Sequence, residues 1–296
     1  MSSFTADSPS TGGGSARSPE RPSGTLFIVA TPIGNLEDIT LRALRTLREA
    51  DLIAAEDTRV TLKLLSHYGI SKPLTSYHRH SPKGVVGKIV SHLKSGKNVA
   101  LVSDAGTPGI SDEGEEVVRA CIAAGIPVVP VPGPSALITA LVVSGLPTRG
   151  FVFTGFLPRR ASDRKWVLQE LSSQTRTLVF FEAPHRLLAF LGDALAVLGD
   201  RPAVVVRELT KQFEEVARGA LSELLAGFQQ RPPRGEVTVL VAGAAAREAS
   251  PAPTGDALSY AKKLIAEGSS RRDAARQAAE RFGIPWRSVY RLLLEK

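Results

Sequence analysis

Asp104 stands where an apolar run stops. The segment NVALVS, residues 98–103, reads as a strand, and Asp104 is followed by Ala105-Gly106-Thr107-Pro108-Gly109-Ile110-Ser111, a turn built on glycine and proline. Pro108-Gly109 favours a type II turn with positive φ at Gly109, and Ser111 is placed to cap a helix whose first turn holds Asp112 and Glu113. Such a turn presents backbone N–H and C=O groups and one carboxylate at close range. A second turn, Pro132 to Ala136, places Ser135 to cap the helix after it, with N–H groups aimed outward. Two further loops, Thr31-Pro32-Ile33-Gly34-Asn35 and Glu56-Asp57-Thr58-Arg59, also interrupt strand-to-helix passages. The phosphate-cradling G-x-x-x-x-G-K-[ST] and the dinucleotide G-x-G-x-x-G do not occur, so ATP, GTP and dinucleotides are poor ligands. Backbone-rich loops beside an aspartate suit a ligand with a carboxylate, an ammonium and a ribose, which is the inventory of S-adenosylmethionine.

These loops need a frame that brings them together. From Gly24 to about Gly243 strand and helix patterns alternate. TLFIVA, DLIAAE, PLTSYH, NVALVSD and IPVVPVPG read as five strands with helices between them, including one over LEDITLRALRTLREA, which makes a parallel α/β domain over 24–132. Ligands of such sheets collect at the carboxyl ends of the strands, where all of the odd loops fall. From 133 to 243 the helix GPSALITALVVSG leads into strands FVFTGF, RTLVFFE, PAVVVREL, FEEVARG and VTVLVAG and helices RLLAFLGDALAVLG and ALSELLAGF, a second α/β domain with mixed strand pairing. Residues 244–254, rich in Ala, Pro and Ser, read as a linker. Residues 255–296 read as three short helices with the proportions of a helix-turn-helix: Ser270 caps the second, Gly283 ends it and Pro285 opens the third.

Composition bounds the function. The 296 residues are 43% hydrophobic, enough for two packed cores, and the most apolar region, Ile126 to Pro147, is broken by prolines and glycines well short of the roughly 20 residues a membrane span needs. Residues 1–23, rich in Ser, Gly and Pro, lack the apolar core of a secretion signal and are expected to be disordered. The single cysteine, Cys121, sits in a helical pattern as a buried thiol, and with no disulfide possible a cytoplasmic location is expected. No metal and no membrane partner is expected. Half of the net charge of +8 lies in Gly255–Lys296, where nine Lys/Arg face five acids. That basic end predicts a polyanionic partner, most simply nucleic acid.

TPIGNLEDIT, AEDTR, SDAGTPGISDEG, VPGPSA, FFEAPHR and GEVTVLV, in that order and spacing over Gly24–Gly243, resemble the tetrapyrrole methylase superfamily. Within it they are similar to the subgroup that methylates the ribose 2′-hydroxyl of a cytidine in 16S rRNA, which also carries a helical C-terminal module. The resemblance implies two α/β domains with an S-adenosylmethionine cleft between them, a homodimer, and 16S rRNA or the 30S subunit as partner. By motif it implies that Pro32 and Gly34 line the cleft and that Asp104, Ala105, Gly106 and Thr107 hold the methionine end beside Ser135 and Ala136. Glu182, Glu208, Glu236 and Val237 would close over the nucleoside part.

A ribose hydroxyl is a poor nucleophile, so the reaction needs in-line placement and a route for the proton. Asp57, His78, Glu182 and Glu208 are the candidate proton acceptors, and Lys211 or Arg59 would orient the hydroxyl or its neighbouring phosphate. Arg59, His78, Arg159, Arg160 and Arg164 read as an RNA-binding rim, with Arg271, Arg272 and Arg287 on the C-terminal module. Two other readings are a methylase of a tetrapyrrole intermediate and an RNA-binding protein without chemistry.

Overall fold

The computed structural model describes residues 23–79, 81–82, 84–231, 235–245 and 251–294, with side chains from 255 onward in the last span. The expected N-terminal tail, apart from Ser23, and residues 246–250 of the expected linker lie outside the described residues. The chain divides into one compact unit up to Gly243 and another from Ala244.

The first unit carries two five-stranded sheets. Strands β1 (Leu26–Val29), β2 (Leu52–Ala55), β3 (Leu74–Ser76), β4 (Val99–Val102) and β5 (Val128–Val131) are ordered β3-β2-β4-β1-β5, and all of the pairings are parallel. Helices α1 (Leu41–Glu49), α2 (Thr58–His67), α3 (Val85–Lys94) and α4 (Glu115–Ala123) make the crossovers. Both faces of the sheet are buried: Val29, Leu47, Ile53 and Leu65 form one core cluster, and Leu26, Ile89, Leu93 and Leu101 the other. Cys121 is buried in the second cluster, and burial pushes its thiol pKa up. Strand β5 carries Pro130 without breaking a ladder, because it sits at the sheet edge.

Two helix starts differ from the sequence pattern. The helix expected from Leu36 is a 3-10 turn, Leu36–Asp38, and α1 begins at Leu41, because the Thr40 side chain accepts the Ala43 N–H and Ile39 and Thr40 are extended. Ser111 does not cap a helix: α4 starts at Glu115 after Gly114, and Ser111 has φ +69 within the preceding loop.

Helix α5 (Ala136–Ser144) leads to the second sheet, ordered β6-β7-β10-β8-β9. Its strands are β6 (Phe151–Phe156), β7 (Thr177–Glu182), β8 (Pro202–Arg207), β9 (Glu215–Ala220) and β10 (Val237–Val241). Only β6 and β7 pair in parallel; β7-β10, β10-β8 and β8-β9 are antiparallel, the mixed sheet expected. Ala140 and Leu141 of α5 pack on one face with Val179, Val206 and Leu240, and Ile33 from the first half joins this cluster. Helices α6 (Ala161–Glu170), α7 (Leu187–Leu198) and α8 (Leu221–Gln230) cover the other face. Helix α6 has no apolar stripe of its own and escaped the sequence pattern.

The second unit has three helices, α9 (Pro251–Ala266), α10 (Arg271–Phe282) and α11 (Trp286–Leu294). Helix α9 reaches back into the span expected as linker. The Ser270 hydroxyl accepts the Asp273 N–H and Gly283 closes α10 in the left-handed conformation, both as expected from their types. Ala257, Ala261, Ala274, Ala275, Ala278 and Ala279 form the core with Val289. Among the described residues no helix is long and apolar enough to cross a membrane.

Phe180 and Phe190 are the largest fully buried side chains, edge to face with ring centroids 5.1 Å apart at 60°. Phe190→Ala is expected to cost about 3–5 kcal/mol of stability, because a cavity of ring size would open between α7 and β7. Urea unfolding of wild type and variant checks this.

Candidate functional site

Parallel pairing brings the carboxyl ends of β2, β4, β1 and β5 to one edge as neighbours. The loops leaving them are tied to one another. Thr31 N–H donates to Gly106 C=O at 2.8 Å, Gly106 N–H donates back to Thr31 C=O at 3.1 Å, and the Thr31 hydroxyl donates to Ser103 C=O at 3.1 Å. Asp57 N–H donates to Asp104 Oδ1 at 2.9 Å, while Asp104 N–H donates to Glu56 Oε2 at 3.1 Å. Thr107 Oγ1 donates to Pro134 C=O at 3.4 Å. Gly106 has φ +84, a conformation that favours glycine, and a Cβ built on it would meet Ile33 Cγ2 at 3.5 Å and Pro134 O at 3.9 Å.

Against this edge lies a cavity of about 400 Å3. Ile33, Glu56, Asp104–Thr107, Ile110–Asp112, Ser135 and Ala136 form its wall in the first half, and the second half contributes Phe156, Phe181–Pro184, Val206, Leu209 and Glu236–Thr238. Five carboxylates line it, from Glu56, Asp104, Asp112, Glu182 and Glu236, and none of the described lining residues is Lys, Arg or His. Burial raises the pKa of Glu56 and of Asp104, opposed by the N–H each accepts and reinforced by neighbouring carboxylates. Asp112 is pushed up to about 6 by burial, against the hydrogen bonds it receives from Gly109 N–H and Ser103 and with repulsion from Glu56 and Glu113.

Glu182 is the most enclosed of the five, 2% exposed at the end of β7. Its Oε1 accepts the Ala183 N–H at 2.8 Å and lies 3.1 Å from Arg186 Nε, an ion pair without hydrogen-bond alignment, and its Oε2 has no partner among the described residues. Burial pushes this carboxyl up, against the Ala183 N–H and the charges of Arg186, Arg164 and His185.

The loops do not use every residue expected of them. Asp104, Ala105, Gly106, Thr107, Ser135, Ala136, Glu182, Glu236 and Val237 line the cavity; Pro32 and Gly34 do not, and Ile33 between them does. Gly34 instead faces the loop after β8: a Cβ there would come within 2.5 Å of Lys211 Cγ, 2.7 Å of Leu209 O and 2.8 Å of Thr210 Oγ1. Ser135 occupies the N-cap position of α5, but its side chain accepts no N–H of that helix.

Asp57 is displaced from the cavity by Glu56. It caps α2 by accepting the Arg59 N–H at 2.8 Å, pairs with the Arg59 guanidinium at 2.6 Å, and is held down to about 2 by those bonds. Glu208 and Lys211 also stand outside the cavity lining. Lys211 Nζ donates to Glu208 Oε1 at 2.9 Å and reaches Glu236 Oε2 at 3.4 Å, and Glu236 N–H donates to Glu208 Oε1 at 3.0 Å. Burial pushes Glu208 up, but the bonds from Lys211 and Glu236 outweigh it, so the carboxyl stays below its ordinary range. Glu208 and Thr210 hold φ of +48 and +64, conformations that side chains rarely adopt.

Of the expected basic rim, Arg159 and Arg160 are exposed, and His78 is half-buried with its N–H donating to Ser81 Oγ. Arg164 is 5% exposed and structural: its Nε donates to Asp193 Oδ2 at 2.7 Å and its Nη1 to Arg159 C=O at 3.1 Å. A guanidinium so placed cannot reach RNA. On the second unit Arg271, Arg272 and Arg287 are exposed, whereas Arg276 and Arg281 lie over Trp286 and Tyr260 at 5.7 and 4.7 Å. Among the described residues no group of three or more His, Cys, Asp or Glu is arranged to hold a metal ion. The residues that sequence reasoning passed over, Ile110, Phe156, Phe181, Pro184, Val206 and Leu209, are apolar wall, and only the two phenylalanines carry a signal, an aromatic at the end of each neighbouring strand.

Residues 25–225 match the family model of tetrapyrrole (corrin/porphyrin) methylases. The chain is 48% identical to ribosomal RNA small subunit methyltransferase I of Synechocystis over 92% of its own length and 98% of the relative's. It is 45% identical to the protein of that name from Halalkalibacterium halodurans, over 91% of this chain and 94% of the other. The fold is also similar to that of uroporphyrin-III C-methyltransferase from Thermus thermophilus complexed with S-adenosylhomocysteine, with TM-score 0.52, 22% identity, and coverage of 73% and 97% of the two chains.

Because burial lifts Asp112 from its ordinary 3.8 to about 6, the folded protein holds this proton more tightly than the unfolded chain does. The associated stability is complete below about pH 4 and is lost as pH climbs through 6. Asp112→Asn, which keeps an acceptor for Gly109 N–H, is expected to match wild type near pH 4 and to exceed it above pH 6. Urea titrations across that range check the sign.

Proposed function

The chain belongs to the tetrapyrrole methylase family, in its branch of small-subunit ribosomal RNA methyltransferases, and from that premise we propose that it methylates the ribose 2′-hydroxyl of a cytidine in 16S rRNA. It is an S-adenosylmethionine-dependent enzyme whose substrate is ribosomal RNA. The observation that supports the finer reading is the cavity itself: five carboxylates, no Lys, Arg or His among the described lining residues, and one buried carboxylate oxygen without a partner among the described residues.

That lining fits the cofactor. A sulfonium and an ammonium are cations without a phosphate, so they are favoured by carboxylates and need no lysine. Bound S-adenosylmethionine supplies an electrophilic methyl group that an alcohol oxygen can attack in line. Asp104, Ala105, Gly106 and Thr107 would hold its methionine end with backbone groups and one carboxylate, next to Ser135 and Ala136, while Glu236 and Val237 flank the nucleoside.

Glu182 takes the role of proton acceptor for the ribose hydroxyl in this reading. Of the carboxylates considered from sequence, Asp57 is held ionised by Arg59 and Glu208 by Lys211, which leaves them weak bases outside the cavity. Glu182 lines the cavity, one of its buried oxygens has no hydrogen-bond partner among the described residues, and burial raises its pKa, the combination general base catalysis calls for. Lys211, paired with two glutamates, holds the Glu208–Lys211 loop. Arg59 and His78 remain rim residues for RNA, and Arg271, Arg272 and Arg287 give the second unit a basic face for the same polyanion. 16S rRNA, free or within the 30S subunit, is the proposed partner, a homodimer the proposed state, and the cytoplasm the proposed location.

Purified protein with methyl-labelled S-adenosylmethionine is expected to label 16S rRNA of 30S subunits that lack the modification, with the label recovered as 2′-O-methylcytidine; no transfer would refute this reading. Glu182→Gln is expected to lower kcat by about 100-fold or more, from the lower end of the range for lost general base catalysis upward, while cofactor affinity measured by calorimetry stays within about twofold. Removing Ala244–Lys296 is expected to weaken RNA binding and flatten its dependence on log salt, leaving cofactor affinity intact.

A further inference from the structure

One side chain at the cavity is placed at a cost that packing does not explain. Phe156 ends β6 with 54% of its surface exposed, while lining the cavity. Most of β6 pairs with β7 in simple register, Phe153 opposite Val179, but the register shifts before Phe156, which stands opposite Phe181. Three residues of β6 thus span two of β7. Without that extra residue, alternation would turn Phe156 away from the face that carries Phe153 and Val179; with it, the ring comes onto that face, the one continuous with the cavity. Gly155, at φ +64, makes the shift, and a Cβ on it would come within 2.7 Å of Ser111 Oγ on the opposite wall. The ring stands 5.8 Å from Phe181, tilted by 58°, with its outer face open.

The turn behind it is pinned. Arg186 Nη2 donates to Leu157 C=O at 2.7 Å and to Pro158 C=O at 3.3 Å, and the buried Arg164 bonds Arg159 C=O. Past this turn Arg159 and Arg160 are exposed, and neither guanidinium bonds or pairs with any described residue. An open aromatic face at the mouth of an acidic cavity, three and four residues from two uncommitted cations on a rigid turn, matches a base and its phosphates. The adenine of the cofactor would satisfy the ring alone; the two cations match nothing in the cofactor, which has no phosphate.

We propose that Phe156 is the platform on which the base of the target nucleotide stacks, with Arg159 and Arg160 taking flanking phosphates, so that the site accepts a nucleotide unstacked from single-stranded RNA. This rests on the RNA methyltransferase reading above and adds the residue that receives the substrate base. Base–aromatic stacking tolerates any base, so this contact positions the ribose and leaves sequence choice to other groups.

The test compares Phe156→Ala, Phe156→Leu and Phe156→Trp in methyl transfer to 30S subunits, with cofactor affinity measured by calorimetry and oligomeric state by light scattering. Phe156→Ala is expected to lower kcat/KM about tenfold or more through KM, in line with the loss of one stacked base, with unchanged cofactor affinity. Phe156→Trp should stay within about threefold of wild type, and Phe156→Leu, which keeps the apolar surface without a π-face, should resemble Phe156→Ala. The double variant Arg159→Ala/Arg160→Ala should raise KM and flatten its salt dependence. The proposal is overturned if Leu restores wild-type transfer, if Ala weakens cofactor binding in proportion to activity, or if Ala leaves KM unchanged and instead dissociates copies of the chain. Wild-type enzyme that labels no rRNA would refute the underlying reading; active wild type with indifferent Phe156 variants would refute this proposal alone.

Discussion

Two backbone hydrogen bonds between Thr31 and Gly106 hold the first wall of the site together. They join the loops leaving β1 and β4, strands adjacent in the sheet and separated in sequence by two other strands and three helices. Parallel pairing delivers loop after loop to one edge, yet loops so delivered are free to splay. The Thr31–Gly106 bridge removes that freedom at the centre, and two further bonds, Asp57 N–H to the Asp104 carboxylate and Asp104 N–H to the Glu56 carboxylate, extend the tie to β2. All four bonds have main-chain donors, and the Thr31–Gly106 pair uses no side chain at all, whereas the tie to β2 commits the carboxylates of Asp104 and Glu56.

Two kinds of charge shape the site and its surroundings. Arg164 with Asp193, Arg186 with Glu182 and Lys211 with Glu208 and Glu236 are partnered cations at partly or fully buried positions, and they fix turns. Apart from Glu182 and Glu236, the cavity carboxylates have no ion-pair partner among the described residues, and the raised pKa values of Glu56, Asp104 and Asp112 record first their burial and then the neighbouring carboxylates. Like charges kept close store repulsion that a cationic ligand relieves, so the lining opposes folding slightly and favours binding for one physical reason.

Much of this was legible in the sequence. The order of apolar runs and breakers yields both sheets, and the residue types at Asp104–Thr107 and at Ser270 and Gly283 locate a loop that lines the cavity and two helix ends, because each depends on local chemistry alone. What stayed hidden depends on neighbours distant in the chain. Whether Glu56 or Asp57 faces the cavity turns on the pairing of Asp57 with Arg59; whether Arg164 is a contact or a strut turns on Asp193, 29 residues away. Ser111 reads as a cap from its type, but its conformation answers to Gly155 across the cavity. The register shift that presents Phe156 is likewise invisible to a pattern of alternation, since it is a departure from one.

Gly34 and Gly155 each let one half of the first unit approach the other more closely than any Cβ permits, Gly34 against the Leu209–Lys211 loop and Gly155 against Ser111. Their joint effect bears on recombination between relatives. A chimera that takes its first half from one homologue and its second from another inherits two glycine contacts whose partners lie on the other parent. Such hybrids can keep both cores intact and still fail at the seam, so the two halves of this unit are exchangeable only together with the short loops that meet these glycines.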